Sequence, residues 1–360
     1  MNTWGERIKI SIFGESHGEG IGVVIDGIPA GTELDMEEIE REMQRRAPGR
    51  NAMSTARSEA DQVRILSGFF QGRTTGTPLA GVIFNTNTRS KDYTPELLRP
   101  GHADYTGFVK YGSAHDWRGG GHFSGRITAP LVFAGAVAKQ VLFEHGIVIG
   151  AHIKTLGMIE DTPFDAVHLS KETLQKLKDC AFPTQSEESA AAMQAYILEK
   201  KQELDSVGGV IECGMVGLPA GLGDPFFGSA ESRISSMMFS IPAVKGVAFG
   251  EGFHFAAMTG SEANDAFYTE DGTVKTKTNH NAGINGGITN AMPVVFTVAV
   301  KPTPSIAKPQ QTVNIKTMEN TELSIHGRHD PCIVHRAVPV VEAGAAIAVL
   351  DMLSSRQERF

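Results

Sequence analysis

Cysteine is scarce in this chain: Cys180, Cys213 and Cys332 are the only three, they stand far apart, and none forms a Cys-x-x-Cys pair. That argues against a disulfide framework or a structural zinc site and leaves buried, reduced thiols as the expectation. Excess positive charge is absent too. The net charge is -8, so no surface for nucleic acid or anionic lipid is expected. Long apolar runs are missing by eye: the best candidate is interrupted by Pro130, Lys139 and Gln140, short of the ~20 residues that span a bilayer. The segment Met1 to Phe13 mixes Glu6, Arg7 and Lys9 with alternating apolar residues, a strand pattern and not a signal peptide. A cytoplasmic protein without membrane attachment is the expectation. Forty glycines show no fixed period, which excludes collagen-like and solenoid repeats.

What is present is a chain of 360 residues with 41% apolar content, enough for a large core. Strand patterns cover Ile8 to Phe13, Ile21 to Asp26, Val63 to Phe70 and Leu79 to Phe84. Asp35 and Glu38 form a capping-box pattern before a helix that stops at Pro48. Helices are expected over Ile127 to Glu144, Ser186 to Asp205, Ser229 to Ser240 and Arg336 to Leu353. Further strands fill Ile147 to Leu156, Val210 to Val216, Val244 to Phe249, Pro293 to Val300 and Thr312 to Thr317, and Asp271-Gly272 marks a hairpin. Strands and helices do not alternate regularly. The reading is α+β, one domain over residues 1–360, with a long polar connection from Asn85 to Gly121 of the kind that carries function.

Glycine clusters mark the places where backbone turns sharply or approaches a ligand. Gly14-Glu15-Ser16-His17-Gly18 matches a hydrolase nucleophile elbow, but a strand follows it where the elbow needs a helix. What remains is His17 in a tight turn beside the Ser16 hydroxyl, able to exchange protons near neutral pH. Gly101-His102-Ala103-Asp104 offers a second histidine, with Asp104 either orienting the ring or capping the next helix. Arg118-Gly119-Gly120-Gly121 leads toward a helix and exposes backbone N–H groups suited to phosphate or an electron-rich ring, yet it has neither Rossmann nor Walker spacing. Asn281 to Gly287 and Lys301-Pro302-Thr303-Pro304-Ser305 bracket an apolar strand. His326, His329 and Asp330 raise the question of a metal, but Pro331 denies them helical spacing and no metal is expected. The ionisable groups are mostly cationic or imidazole, which suits a polyanionic small molecule.

Taken in order, Gly14-Glu15-Ser16-His17-Gly18, Arg99-Pro100-Gly101-His102-Ala103-Asp104, Arg118-Gly119-Gly120-Gly121, Lys301-Pro302-Thr303 and Gly327-Arg328-His329-Asp330-Pro331 resemble the chorismate synthases, across essentially the whole chain. The resemblance implies a β-α-β sandwich core, a homotetramer, and a lyase that eliminates phosphate from 5-enolpyruvylshikimate-3-phosphate with reduced FMN and no net redox change. It implies His17, His102, Asp330, Ser16 and Ser124 as catalytic residues. His122, Phe123, Ser124, Ala243, Gly286, Lys301, Pro302, Thr303, Pro304, Ser305 and Arg328 resemble flavin-binding positions, and Arg46, Arg57 and Arg126 substrate-binding ones. The chain departs from the common pattern at His122-Phe123-Ser124-Gly125, where many members read Arg-Ser-Ser-Ala, and at Ala52 and Pro242. No added flavin-reducing domain is visible, so reduced FMN is expected from outside. A non-catalytic flavin-storage protein and a serine hydrolase acting through Ser16 are the competing classes.

Overall fold

A computed structural model describes residues 1–49, 53, 61–86, 94–325 and 330–357. Arg57, Arg328, Ala52, His326 and His329 lie outside the described residues. The first part of the chain forms β1 (Thr3–Trp4), β2 (Lys9–Gly14), β3 (Gly20–Asp26), β4 (Arg64–Ser67), a small hairpin of β5 (Phe69–Phe70) and β6 (Arg73–Thr74), and β7 (Leu79–Phe84). The second part forms β8 (Val148–Leu156), β9 (Ile159–Glu160), β10 (Gly209–Val216), β11 (Val244–Phe249), the hairpins β12 (Phe267–Glu270) with β13 (Thr273–Thr276) and β14 (Ile284–Asn285) with β15 (Ile288–Thr289), then β16 (Val294–Val300) and the hairpin β17 (Gln310–Asn314) with β18 (Glu319–Leu323). The helices are α1 (Met36–Arg46), α2 (Asp104–Tyr111), α3 (Thr128–Glu144), α4 (Lys171–Lys178), α5 (Glu187–Gln202), α6 (Ala230–Ser240), α7 (Gly260–Ala263) and α8 (Val334–Gln357).

Two antiparallel five-stranded sheets, in the orders β1-β2-β3-β7-β4 and β11-β16-β10-β8-β9, enclose a layer of helices. Alternation sets the inward faces: Ile21, Val23 and Ile25 of β3, and Ile211, Cys213 and Met215 of β10, are fully buried. Between them run α3 and α8, whose alanines (Ala134, Ala136, Ala138; Ala343, Ala345, Ala346) let the two helices approach closely. The expected β-α-β sandwich and α+β class are observed.

Both central helices are long and apolar enough, by length and composition, to cross a membrane. This corrects the expectation that Pro130, Lys139 and Gln140 break the first of them. Pro130 falls in the first turn of α3, where its missing N–H costs nothing. Lys139 is paired with Glu42 of α1 and Glu342 of α8, and both helices are mostly buried within the sandwich. Glu342 is the hub of this layer, accepting also from Arg45 at 2.6 and 2.8 Å and from the Ala151 amide at 3.0 Å. Burial opposes its charge, but Arg45 and Lys139 outweigh that and hold its carboxyl below the ordinary range.

Local signals placed most elements well. Asp35 caps α1 through the Glu37 and Glu38 amides, and Asp271-Gly272 turns the β12–β13 hairpin. The connection from Asn85 to Gly121, expected to be irregular, contains α2. The strand expected over Thr312 to Thr317 instead ends at Asn314 and turns back into β18, and α4 carried no expectation at all.

Candidate active site

Where the first sheet, the ends of α6 and α8 and the loop after β16 meet, they leave a cleft of about 1030 Å³. That is at the upper end of small-molecule sites, large enough for a cofactor and a substrate together. Its lining brings together His102, His122, Phe123, Ser124, Ala243, Lys301, Thr303, Pro304, Ser305, Arg46, Arg126 and Asp330 from the sequence-based expectations. Ser16, His17, Pro302 and Gly286 are not in the lining.

The triple glycine explains how two histidines flank one wall. Gly119, Gly120 and Gly121 have φ of 60°, 83° and 53°, a left-handed run that only glycine adopts at low cost. A β-carbon on Gly119 would lie 2.4 Å from His17 Cδ2, and one on Gly120 would lie 3.2 Å from His102 Nε2. Both rings pack on this backbone, His17 against Gly119, which lines the cleft, and His102 against Gly120. The Ser16 amide donates to the Gly121 carbonyl at 3.1 Å, and the Ser16 hydroxyl is buried with no partner among the described residues.

His102 is held from behind. Its Nδ1 lies 2.7 Å from Asp104 Oδ1, and Arg99 forks onto the same carboxylate at 2.8 and 2.7 Å. Asp104 therefore orients the ring. It occupies the first turn of α2, and the capping position before it belongs to Ala103, which makes no side-chain cap.

A buried polar chain underlies the floor. Asp61, fully enclosed, accepts from Arg46 Nη1 at 2.8 Å and Arg126 Nη1 at 2.6 Å. Burial would raise its carboxyl, yet the two guanidinium groups hold it below the ordinary range. Arg126 Nε donates to Asn85 at 2.6 Å, and Asn85 in turn donates to the Glu15 and Gly18 carbonyls at 3.0 and 2.9 Å, fixing the turn that carries His17. At the other end Arg336 donates to the Arg46 carbonyl at 3.0 Å and forms an ion pair with Asp330. Asp61, Asn85 and Arg336 were not singled out from sequence. Asp61 and Asn85 meet Arg126, and Arg336 meets Arg46, across stretches of chain that no local pattern records.

The remaining wall is formed by the loop after β16 and the Phe123 ring. Lys301 donates through Nζ to the Gly101 carbonyl, and partial burial together with Lys245 pushes it down from the usual lysine value. The Thr303 hydroxyl is buried with no partner among the described residues, an orphaned donor at the cleft. Phe123 fills the place against Gly107 of α2 and contacts Tyr111 with ring centroids 6.2 Å apart. His122 Nδ1 donates to the Gly14 carbonyl at 2.8 Å, tying the glycine run to the end of β2. Pro302 packs instead against Gly208. Gly286 turns the β14–β15 hairpin beside the start of α6, whereas the cleft is lined by that helix from Ser236 onward, about 9 Å along it at 1.5 Å per residue.

The chorismate synthase family model matches residues 8–354 of this chain. The chain belongs to the chorismate synthase family. It is 45% identical to a protein named chorismate synthase from Methanobrevibacter smithii, covering 97% of this chain and 95% of the relative. It is 46% identical to another of that name from Dehalococcoides mccartyi, covering 98% and 96%. Among solved structures, a crystal structure of chorismate synthase superposes with a TM-score of 0.77 at 32% identity, covering 98% of this chain and 93% of that one. Chorismate synthase chemistry takes a small-molecule substrate, in agreement with a cationic cleft of this size.

Proposed function

We propose that the cleft carries out a carbon–oxygen lyase reaction, the 1,4-elimination of phosphate from 5-enolpyruvylshikimate-3-phosphate to give chorismate, with reduced FMN as cofactor. The observation that carries this reading is the convergence of Arg46, Arg126, Lys301, His102 and Asp330 on one cleft beside the orphaned Thr303 hydroxyl and the Phe123 ring. A substrate with a phosphate and two carboxylates requires a lining of forked and point cations, and the 2:1 ratio of Arg46 and Arg126 to Asp61 leaves that floor one positive charge in excess.

Thr303, Ser305, Lys301 and Ala243 would hold FMN against the Phe123 side. Reduced FMN, when bound, supplies transient electron density to a breaking allylic bond. The chain's residues do the rest. In the balanced reaction a C–O and a C–H bond break, one C=C bond is gained, and phosphate and a proton leave. His17, packed against Gly119 at the edge of the cleft, would donate a proton toward the departing phosphate, His102 would supply the proton balance of the reduced flavin, and Asp330 would take up the proton that leaves the ring. Ser16 and Ser124 contribute hydroxyl contacts beside the histidines. We read the 360 residues as one domain that assembles as a homotetramer in the cytoplasm and receives reduced FMN from an external reductase.

The test is an anaerobic assay with dithionite-reduced FMN. Many turnovers of chorismate and inorganic phosphate in equal amounts are expected; tight flavin binding with no conversion of the phosphorylated substrate would leave only a flavin-binding protein.

A further inference from the structure

The Arg99–Asp104–His102 cluster decides which nitrogen of His102 carries the proton. His102 Nδ1 and Asp104 Oδ1 are 2.7 Å apart, a distance at which a proton must lie between them. Burial would raise the Asp104 carboxyl, but hydrogen bonds from Arg99 and His102 and the Arg99 charge overcome it and hold the group well below the ordinary carboxylate range. The carboxylate has no proton of its own to share at neutral pH. The proton in that contact belongs to Nδ1.

Arg99 Nη2 also lies 3.1 Å from His102 Nδ1. Taken alone, that contact would make Nδ1 an acceptor, with the opposite tautomer. Two facts rule against it. Arg99 Nη2 already has a shorter acceptor in Asp104 Oδ1, at 2.7 Å, and an unprotonated Nδ1 would set its lone pair against a carboxylate oxygen at the same separation. The 3.1 Å contact is two donors sharing one acceptor.

Further bonds make the arrangement rigid. Asp104 Oδ2 accepts from the Arg99 amide at 3.0 Å as well as from its Nε, and the His102 amide donates to the Arg99 carbonyl at 3.1 Å. Asp104 sits in the first turn of α2, where the helix dipole favours its charge. The Lys301 ammonium fixes the Gly101 carbonyl next to the ring, and Gly120 meets the Nε2 edge where any side chain would intrude.

We propose that Asp104 is a positioning residue that, clamped by Arg99, fixes His102 as the Nδ1–H tautomer and leaves Nε2 as its proton-exchanging atom at the cleft that His102 lines. This rests on the reading of His102 as a proton-carrying group. Arg99 neutralises Asp104, so the clamp orients the ring without adding net negative charge beside an anionic substrate.

Ring ¹⁵N chemical shifts of the histidine-labelled protein at mildly alkaline pH test this, with the His102 signal assigned by its loss in His102→Ala. A protonated Nδ1 and an unprotonated Nε2 are expected. Asp104→Asn, whose amide can donate to Nδ1 and so invert the tautomer, should lose that signature and lower kcat roughly 100-fold or more while FMN affinity and KM change only a few-fold. Asp104→Glu should keep the tautomer and recover at least tenfold of the rate. A wild-type ring with its proton on Nε2 overturns the proposal, as does an Asp104→Asn protein with unchanged tautomer and kcat. Should Asp104→Asn not fold, the wild-type shifts decide the tautomer, and an Asp104→Glu protein that loses it without losing rate overturns the positioning role. Full turnover in His102→Ala would instead remove the catalytic reading of His102 and leave the tautomer result standing.

Discussion

Gly119 lies directly against His17: a β-carbon at position 119 would sit 2.4 Å from the ring Cδ2 and 2.5 Å from Nε2. Gly119→Ala must therefore move the imidazole as well as strain a backbone with φ of 60°. Gly272, in the β12–β13 turn after Asp271, is the control, because it too has a positive φ, 74°, and nothing within 4 Å of its β-carbon position. Both substitutions should cost roughly 1–2 kcal/mol of stability through the left-handed conformation. Only Gly119→Ala should also lower kcat, by tenfold or more, with FMN still bound. Thermal melts and turnover of the two proteins side by side give the answer, and equal kcat values would detach His17 from the chemistry.

Asp330 is joined to Arg336, and Arg336 to the Arg46 carbonyl, so Asp330 is fixed relative to the arginine floor. Asp330→Asn keeps size and hydrogen bonding but cannot take a proton. Chemistry should slow by roughly 100-fold or more, with substrate affinity little changed. Rapid-mixing absorbance under anaerobic conditions should record a flavin transient that decays slowly. Decay at the wild-type rate would mean that Asp330 only opens the turn at Pro331.

His335 offers a pH prediction outside the cleft. Burial, reinforced by Arg336, pushes its imidazole down to about 4, and neither ring nitrogen has a partner among the described residues. Its folded value lies below the unfolded one of about 6.5, so the unfolded chain binds the proton more readily. Stability is full above about pH 6.5 and falls as pH drops toward 4, by about 2 kcal/mol at about pH 5. His335→Leu should flatten that acid limb in urea melts taken at neutral and acid pH. An unchanged pH dependence would show that His335 is not protonated on unfolding.

Much of this architecture is written in local pattern. Asp35 announces α1, the alternation Ile21, Val23, Ile25 announces β3, and the apolar run from Thr128 announces α3, because capping and periodicity act between near neighbours. The site is legible only as separate pieces. The motif around His102 was visible, but whether Asp104 capped a helix or held the ring depended on where α2 begins, one residue's difference. Asp61 and Arg336 left no signal, since Arg46 and Arg126 become their partners only when α1, the turn before α3 and α8 pack together.

The central claim is that the cleft uses reduced flavin without consuming it, and the most direct measurement follows flavin absorbance and chorismate release together in one anaerobic reaction. Many chorismate molecules per protein chain are expected, with the bound FMN ending as reduced as it began. Oxidation of one flavin for each chorismate formed would contradict it.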